Sequence, residues 1–247
     1  QSIARLSSGK RINSAHDDAA GLAISGRLES QIRGLSMQLK NSRDGQALAN
    51  TTEAAMQEVT GILQRMRELA VQASSGIATA ADRGYLNTEV QALITEIEAI
   101  SVNTTFNEKS ILSDVGFSFY TDINITGTQI STTVANMSVS VLNITAAEVV
   151  IGTTAAAAIV AIDNALSAVD DKRTHMGAIS NRFDHVIDNL TNVIANTSAA
   201  QSRVQDADYA VETTALTRAT ILQQAATSMI AQANANKNSI MTLIQGS

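Results

Sequence analysis

The chain has three histidines, His16, His175 and His185, and no cysteine. A helical metal site needs a second ligand at i,i+4, or a His-Glu motif, and no two of these histidines stand at that spacing. They read as solvated or interface residues. The stretch Gly21-Leu-Ala-Ile-Ser25-Gly26 sets a serine near two glycines. A nucleophile elbow puts its serine two residues after the first glycine and follows a strand. Here Ser25 comes four residues after Gly21, with no strand before it. The same stretch fails as a phosphate loop, because Arg27 stands where Lys followed by Ser or Thr is required. Asp17 and Asp18 are adjacent carboxylates, but neighbouring helical residues point about 100° apart and do not face one substrate. A helix cap and first turn suit them better. Seven Asn-X-Ser/Thr sequons start at Asn50, Asn103, Asn124, Asn136, Asn143, Asn189 and Asn196. A chain rich in Asn, Ser and Thr makes such sequons by chance. The pattern points away from an enzyme and implies no cofactor and no metal.

What the segment Asn13 to Ser25 does offer is smallness. Ten of its thirteen residues are Ala, Gly, Ser, Asp or Asn. Small side chains let backbones approach closely, so packing is the chemistry that this segment supports.

Composition says which elements carry it. Pro, Cys and Trp are all 0 and aromatics are 3%. Proline in a helix interior costs roughly 3 kcal/mol, so a proline-free chain can run long unbroken helices. Few aromatics leave a thin core per residue, which suits narrow apolar seams better than a compact globule. The net charge is −6, with a locally basic start: residues 1–43 carry seven Lys/Arg against three Asp/Glu. That excess reads as a solvated face, and no nucleic-acid partner is expected. The most apolar window, Val149 to Ile162, is fourteen residues. A bilayer helix takes about 20, so no membrane span is expected.

Heptad spacing is clearest at Leu48, Thr52, Ala55, Val59, Ile62, Met66, Leu69 and Ala73, a strict 4,3 alternation. Leu28, Ile32, Leu35 and Leu39 keep the same rhythm and lose register near Gly45. Nothing between Asp18 and Ala73 forces a stop, so the spacing predicts one helix of about 55 residues, roughly 80 Å long. Leu86, Val90, Leu93, Ile97 and Ile100 form a second series. Period-two alternation then predicts a strand over Val115 to Ile125, a turn at 126–128, and a second strand at Met137, Val139 and Val141. A third helical series begins near Ala146 or Thr154, is interrupted at Asp170–Met176, and resumes through Ile179, Phe183, Val186, Leu190 and Val193. Leu222, Ala226, Met229 and Ala233 make a weaker last seam. The expected fold is mainly α: an elongated antiparallel rod of coiled-coil-like N- and C-terminal helices, with a small β-hairpin region at about 104–145.

Several stretches carry a family resemblance. The chain closely resembles bacterial flagellin in "LSSGKRINSAHDDAAGLAIS" (6–25), "QIRGL" (31–35), "LQRMRELAVQASSG" (63–76), "TTFNEKSIL" (104–112), "ISTTVANMSV" and "RVQDADYAVETTALTRATILQQAATSMIAQANANKNSIMTLI" (203–244). One departure is "NEKS", where the family usually has Asn-Gly after the Phe. The resemblance implies a minimal form with little or no outer domain, preceded in the family by about twenty further residues. It implies a secreted subunit, exported without a cleaved signal peptide, that assembles with copies of itself into the flagellar filament for motility. Residues 1–19 and 206–247 would form the inner layer, and 20–205 the rod domain. Asn13, Asp17, Asp18, Ala19, Ala20 and Gly21 fall in the segment joining the layers, where subunits approach closely. Implied partners are the cap and hook-junction proteins, and an export chaperone on the C-terminal segment. The family's contacts with Toll-like receptor 5 map to Arg65, Leu69 and Glu89. Leu69 also lies in the heptad seam, where burial competes. The rival readings are a hook–filament junction protein and a surface polysaccharide-binding protein on the same scaffold.

Overall fold

The computed structural model describes residues 1–113, 116–120, 129–133, 136–145 and 155–245. The order of elements is α1 (Ser2–Ser8), α2 (Ala19–Ala73), α3 (Ala80–Asn103), β1 (Thr105–Phe106), β2 (Lys109–Ser110), β3 (Gly116–Tyr120), β4 (Gln129–Thr133), α4 (Ala155–Gln205) and α5 (Tyr209–Gln245). The fold is mainly α with two small antiparallel hairpins. The chain packs as two units, one made of Gln1–Arg33 with Ile194–Ser247, the other of Gly34–Val193. The helix of 55 residues read from the seam and from the lack of a breaker is α2.

In the 34–193 unit the seam is the core. Leu48, Thr52, Val59, Met66, Leu69 and Ala73 are buried, and Ala55 and Ile62 are half-buried. Thr52 and Thr60 sit in this core because each hydroxyl donates to the carbonyl four residues back, on Leu48 and Met56, at 2.8 and 3.0 Å. Val90, Ile94 and Ile97 of α3 and Ile162, Val169, Met176, Ile179 and Phe183 of α4 complete the cluster. The α2 and α4 segments run antiparallel. Gln46 donates to Asp184, Ser180 to Asn50, Arg173 to Glu53 and Arg67 to Asp163, so the α4 number falls as the α2 number rises.

The interruption at Asp170–Met176 does not break α4. Val169 and Met176 are both buried, and Arg173 occupies the seam position between them. Its guanidinium reaches out to Glu53 Oε1 at 2.8 Å, so the heptad continues with a long polar side chain in place of an apolar one. Gly45, where the early series loses register, lies buried beneath Phe183 and Phe119, whose rings meet edge to face at 5.6 Å. At α3, Thr79 and Asp82 form a reciprocal capping box.

The strands fall inside 104–145 as the alternation requires, but their positions differ in part. β3 and β4 pair antiparallel with Phe119 opposite Ile130. The flanks of the first predicted strand, Val115 and Thr121 to Ile125, and the turn at 126–128 lie outside the described residues. Met137, Val139 and Val141 form no strand. The amides of Val141 and Leu142 donate to Ser138 O, that of Ile144 donates to Val139 O, and Asn143 has φ 53°. The segment is a compact turn that buries Met137, Leu142 and Ile144 and leaves Val141 exposed. Local turn bonds override the period-two pattern there. The partner of β3 is "QISTT", whose only large apolar residue is Ile130, too sparse a signal for alternation. A further hairpin pairs β1 with β2, Phe106 opposite Lys109, around Asn107 and Glu108 at φ 50° and 65°. Two positive φ values match the tight two-residue turn that usually carries Asn-Gly.

The other unit joins both sequence ends. α1 is closed by Gly9 at φ 70°, a left-handed C-cap. Lys10 bridges antiparallel to Asp206; Arg11 N–H donates to Gln205 O at 2.7 Å and Ala207 N–H to Gly9 O at 3.0 Å. Among the described residues no helix is long and apolar enough to cross a membrane.

Candidate functional site

Among the described residues no catalytic constellation emerges from the geometry. His16, His175 and His185 are each exposed, and Ser25 is a buried helix residue whose hydroxyl donates to Gln205 Oε1 at 2.8 Å. The candidate surfaces are instead the small-residue segment, the long helix α5 and one charged pair.

The small-residue segment is built around two carboxylates with different tasks. Asp17 Oδ2 accepts from Asn13 N–H at 3.2 Å and from the amide and hydroxyl of Ser14 at 3.0 and 3.1 Å. These bonds, the Asn13 amide foremost, hold the Asp17 carboxyl below its ordinary range. Asp18 is the N-cap of α2: its Oδ1 accepts from Gly21 N–H at 2.8 Å, and its carbonyl accepts from Leu22 N–H. Gly21 is buried against this cap. A Cβ added there would overlap the Asp18 carboxylate and stand 2.5 Å from Ile12 Cδ1. Its smallness therefore has a reason within the single chain. Asn13, Ala19 and Ala20 are exposed, and their size has no such internal cause.

α5 is unusual in what it leaves uncovered. Of its described side chains only Glu212 is buried. Ile221, Leu222, Met229 and Ile230 are all exposed, Leu222 at 62% and Met229 at 71%. Leu222, Ala226, Met229 and Ala233 keep the 4,3 spacing of a seam with nothing on it. The first turn is held by α1. Arg5 Nη1 pairs with Glu212 Oε1 at 3.0 Å, and Tyr209 OH donates to Leu6 O at 3.2 Å. Hydrogen bonds from Ser2 and Arg5 lower the Glu212 carboxyl below its ordinary range.

Arg65 and Glu89 come together across α2 and α3. Arg65 Nε and Nη2 both donate to Glu89 Oε1, at 3.0 and 2.9 Å, and Nη1 reaches Glu68 Oε2 at 3.1 Å. The Glu89 bonds, then those to Glu68, hold the guanidinium above its usual range. Both partners of the Arg65–Glu89 pair are exposed. Leu69, one turn along, is 1% exposed and belongs to the core, so the pair and the leucine do not share one surface. Sequence reasoning had no signal for the Arg5–Glu212 pair or for the pairing of 9–11 with 205–207, because each joins residues some two hundred positions apart.

Comparison with known proteins gives the family. Residues 1–116 match the bacterial flagellin N-terminal helical region, and residues 159–244 the bacterial flagellin C-terminal helical region. Among curated relatives, a flagellin of Halalkalibacterium halodurans is 42% identical over 248 residues, covering 99% of this chain and 91% of the relative. A flagellin of Bacillus subtilis is 37% identical over 284 residues, covering 99% and 92%. Among solved structures, the crystal structure of Bacillus cereus flagellin is 29% identical with a TM-score of 0.55, covering 66% of this chain and 94% of that one. A putative flagellar hook-associated protein of Vibrio parahaemolyticus has a TM-score of 0.67 at 15% identity, a likeness of fold alone. Two family regions at the two ends, and relatives matched along nearly the whole length, lead to one conclusion: the chain belongs to the bacterial flagellin family, whose members are the structural subunits of the extracellular flagellar filament.

Proposed function

We propose that this chain builds the filament by covering the bare stripe of α5 with copies of itself. The observation that carries the reading is that stripe: a seam of Leu222, Ala226, Met229 and Ala233 with Ile221 and Ile230 beside it, all exposed in the single chain. A helix this long, with one buried side chain among those described, gains its burial from neighbours. In this reading residues 1–19 and 206–247 form the inner layer and 20–205 the outer rod. Asn13, Asp17, Asp18, Ala19, Ala20 and Gly21 lie where subunits approach. The filament cap and hook-junction proteins meet the subunits at the filament's ends. An export chaperone covers the C-terminal segment beforehand, and export proceeds without a cleaved signal peptide.

Seeded polymerisation of the full chain tests this. Extension of short filament fragments, seen by electron microscopy, is the expected result, and absence of growth on seeds would overturn it. Ala20→Leu is the sharper variant. Ala20 is exposed, so the substitution leaves the monomer folded and blocks growth, whereas Gly21→Leu also disturbs Ile12 and the Asp18 cap.

A second reading is favoured by the exposed Arg65–Glu89 pair: activation of Toll-like receptor 5 through Arg65, Leu69 and Glu89. Arg65 and Glu89 offer a preformed charged contact, and Leu69 contributes by fixing the helix that presents them. An Arg65→Ala, Glu89→Ala double variant should lose signal in receptor-reporter cells; undiminished signal would exclude this patch.

A further inference from the structure

Among the described side chains the methionines divide sharply. Met56, Met66, Met137 and Met176 are at most 2% exposed, whereas Met37 is 56% and Met229 71% exposed. Met229 is the sole thioether among the seam positions of α5, and the stripe it belongs to is uncovered in the single chain. Thioether oxidation follows access, and it turns a flexible apolar side chain into a polar, chiral one.

We propose that Met229 is a site of oxidative modification that gates assembly: a hydroperoxide converts its thioether to the sulfoxide in the free chain, and the oxidised subunit does not enter a filament. The sulfur lone pair attacks one oxygen of the peroxide and the O–O bond breaks. The leaving hydroxide takes up the proton of the transferred oxygen, giving sulfoxide and one water for each hydrogen peroxide consumed. Sulfur loses two electrons and the peroxide gains them. The sulfoxide oxygen then stands in a stripe whose own members Leu222, Ala226 and Ala233 offer no side-chain donor, with Gln232 one turn away but off the stripe. Burying such a polar group unmatched weakens association by at least about tenfold. Within an assembled filament the same sulfur is covered, so the modification acts before incorporation and spares the finished polymer. It is reversible by methionine sulfoxide reductases, which makes it a switch as well as a lesion. The inference rests on the assembly reading of α5.

The test uses the full chain carrying Met241→Leu throughout, so that Met37 and Met229 are the exposed thioethers compared. The free chain is treated with hydrogen peroxide, quenched, analysed peptide by peptide by mass spectrometry, and offered to filament seeds. Met37 and Met229 should oxidise well before the four buried methionines, and seed extension should slow at least about tenfold as Met229 is converted. Met229→Leu should keep extending after treatment, Met37→Leu should not, and reductase treatment should restore the parent. Filaments formed first should show Met229 oxidation slowed by a similar factor. Oxidation of Met229 no faster than Met56, unimpaired growth of the oxidised chain, or equal loss in Met229→Leu would each overturn the proposal. Failure of the untreated chain to grow on seeds would instead overturn the assembly reading, and this proposal with it.

Discussion

Gly45→Ala should destabilise the 34–193 unit although it improves the local helix propensity. Replacing glycine by alanine inside a helix gains about 0.8–1.0 kcal/mol. At Gly45, however, the new Cβ would stand 2.6 Å from Phe183 Cζ, 2.9 Å from Phe183 Cε1 and 3.1 Å from Phe119 Cγ. Carbon atoms rest at about 3.5–4.0 Å, so the two rings must retreat by up to about 1 Å. Neither has an easy exit, because Phe183 is fully buried and Phe119 is tied to the β3–β4 hairpin opposite Ile130. Overpacking of this kind costs about 1–3 kcal/mol, which exceeds the propensity gain over most of its range, leaving a net loss of up to about 2 kcal/mol. Gly61 and Gly177 are the controls: both are helical, and an added Cβ meets nothing within 4 Å. Gly61→Ala and Gly177→Ala should each gain about 0.8–1.0 kcal/mol. Urea titrations followed by far-ultraviolet circular dichroism separate the two directions, and melting midpoints should differ by about 2–4 °C per kcal/mol. Phe183→Leu should be less costly in the Gly45→Ala background than alone, because the ring is what the new methyl strikes. If Gly45→Ala proves as stable as Gly61→Ala, the close approach described at this junction is wrong.

Three further outcomes follow from local geometry. Asp18→Ala removes the N-cap of α2 and should cost about 1 kcal/mol, read as faster hydrogen exchange at the Gly21 amide; unchanged exchange would deny the cap. Glu108→Gly should stabilise by up to about 1 kcal/mol, since left-handed backbone costs a non-glycine about 1–2 kcal/mol and glycine's extra chain entropy offsets only about 0.5–1; a less stable variant in urea would contradict the turn assignment. Glu212 has a carboxyl pKa lowered in the folded chain by Ser2 and Arg5, so its contribution to holding α1 is complete above the ordinary glutamate value of about 4.3 and is lost as pH falls through the lower folded value. Protection factors of the Ser2–Ser8 amides, with exchange corrected for its intrinsic pH dependence, should therefore fall on acidification in the parent and be nearly flat in Glu212→Gln; parallel profiles would remove Glu212 from that role.

Periodic and local signals carried most of the helical fold. The span of α2 was legible because Asp18 supplies a cap, no proline intervenes and the seam runs to Ala73. The register of α4 looked broken because Arg173 is charged, yet a long side chain can fill a seam position with its stem and place its charge at the edge. The second strand was misplaced because Met137, Val139 and Val141 alternate by composition alone, while the bonds to Ser138 and Val139 curl the backbone. The β1–β2 turn was hidden because Glu108 stands where glycine would announce it. Leu69 illustrates a site residue whose seam position foretold its burial. That N- and C-terminal helices pack on each other was legible from seams that neither could bury alone, but the particular contacts, Arg5 with Glu212 and Gly9–Arg11 with residues 205–207, were not, since no local pattern encodes partners so distant.

That last pairing has a consequence for the order in which the molecule forms. Arg11 Nη2 donates to the carbonyl of Val204, 193 residues away, at 2.7 Å. A ribosome emits the first strand of this clasp long before the second, so Gly9–Arg11 wait through about 190 further residues without their partner. Closing so large a loop carries an entropic barrier that local helices do not face. The unit that unites residues 1–33 with 194–247 must therefore close a longer loop than the α2–α4 pairing of the 34–193 unit does, and cannot begin to close until residues 204–207 have been made.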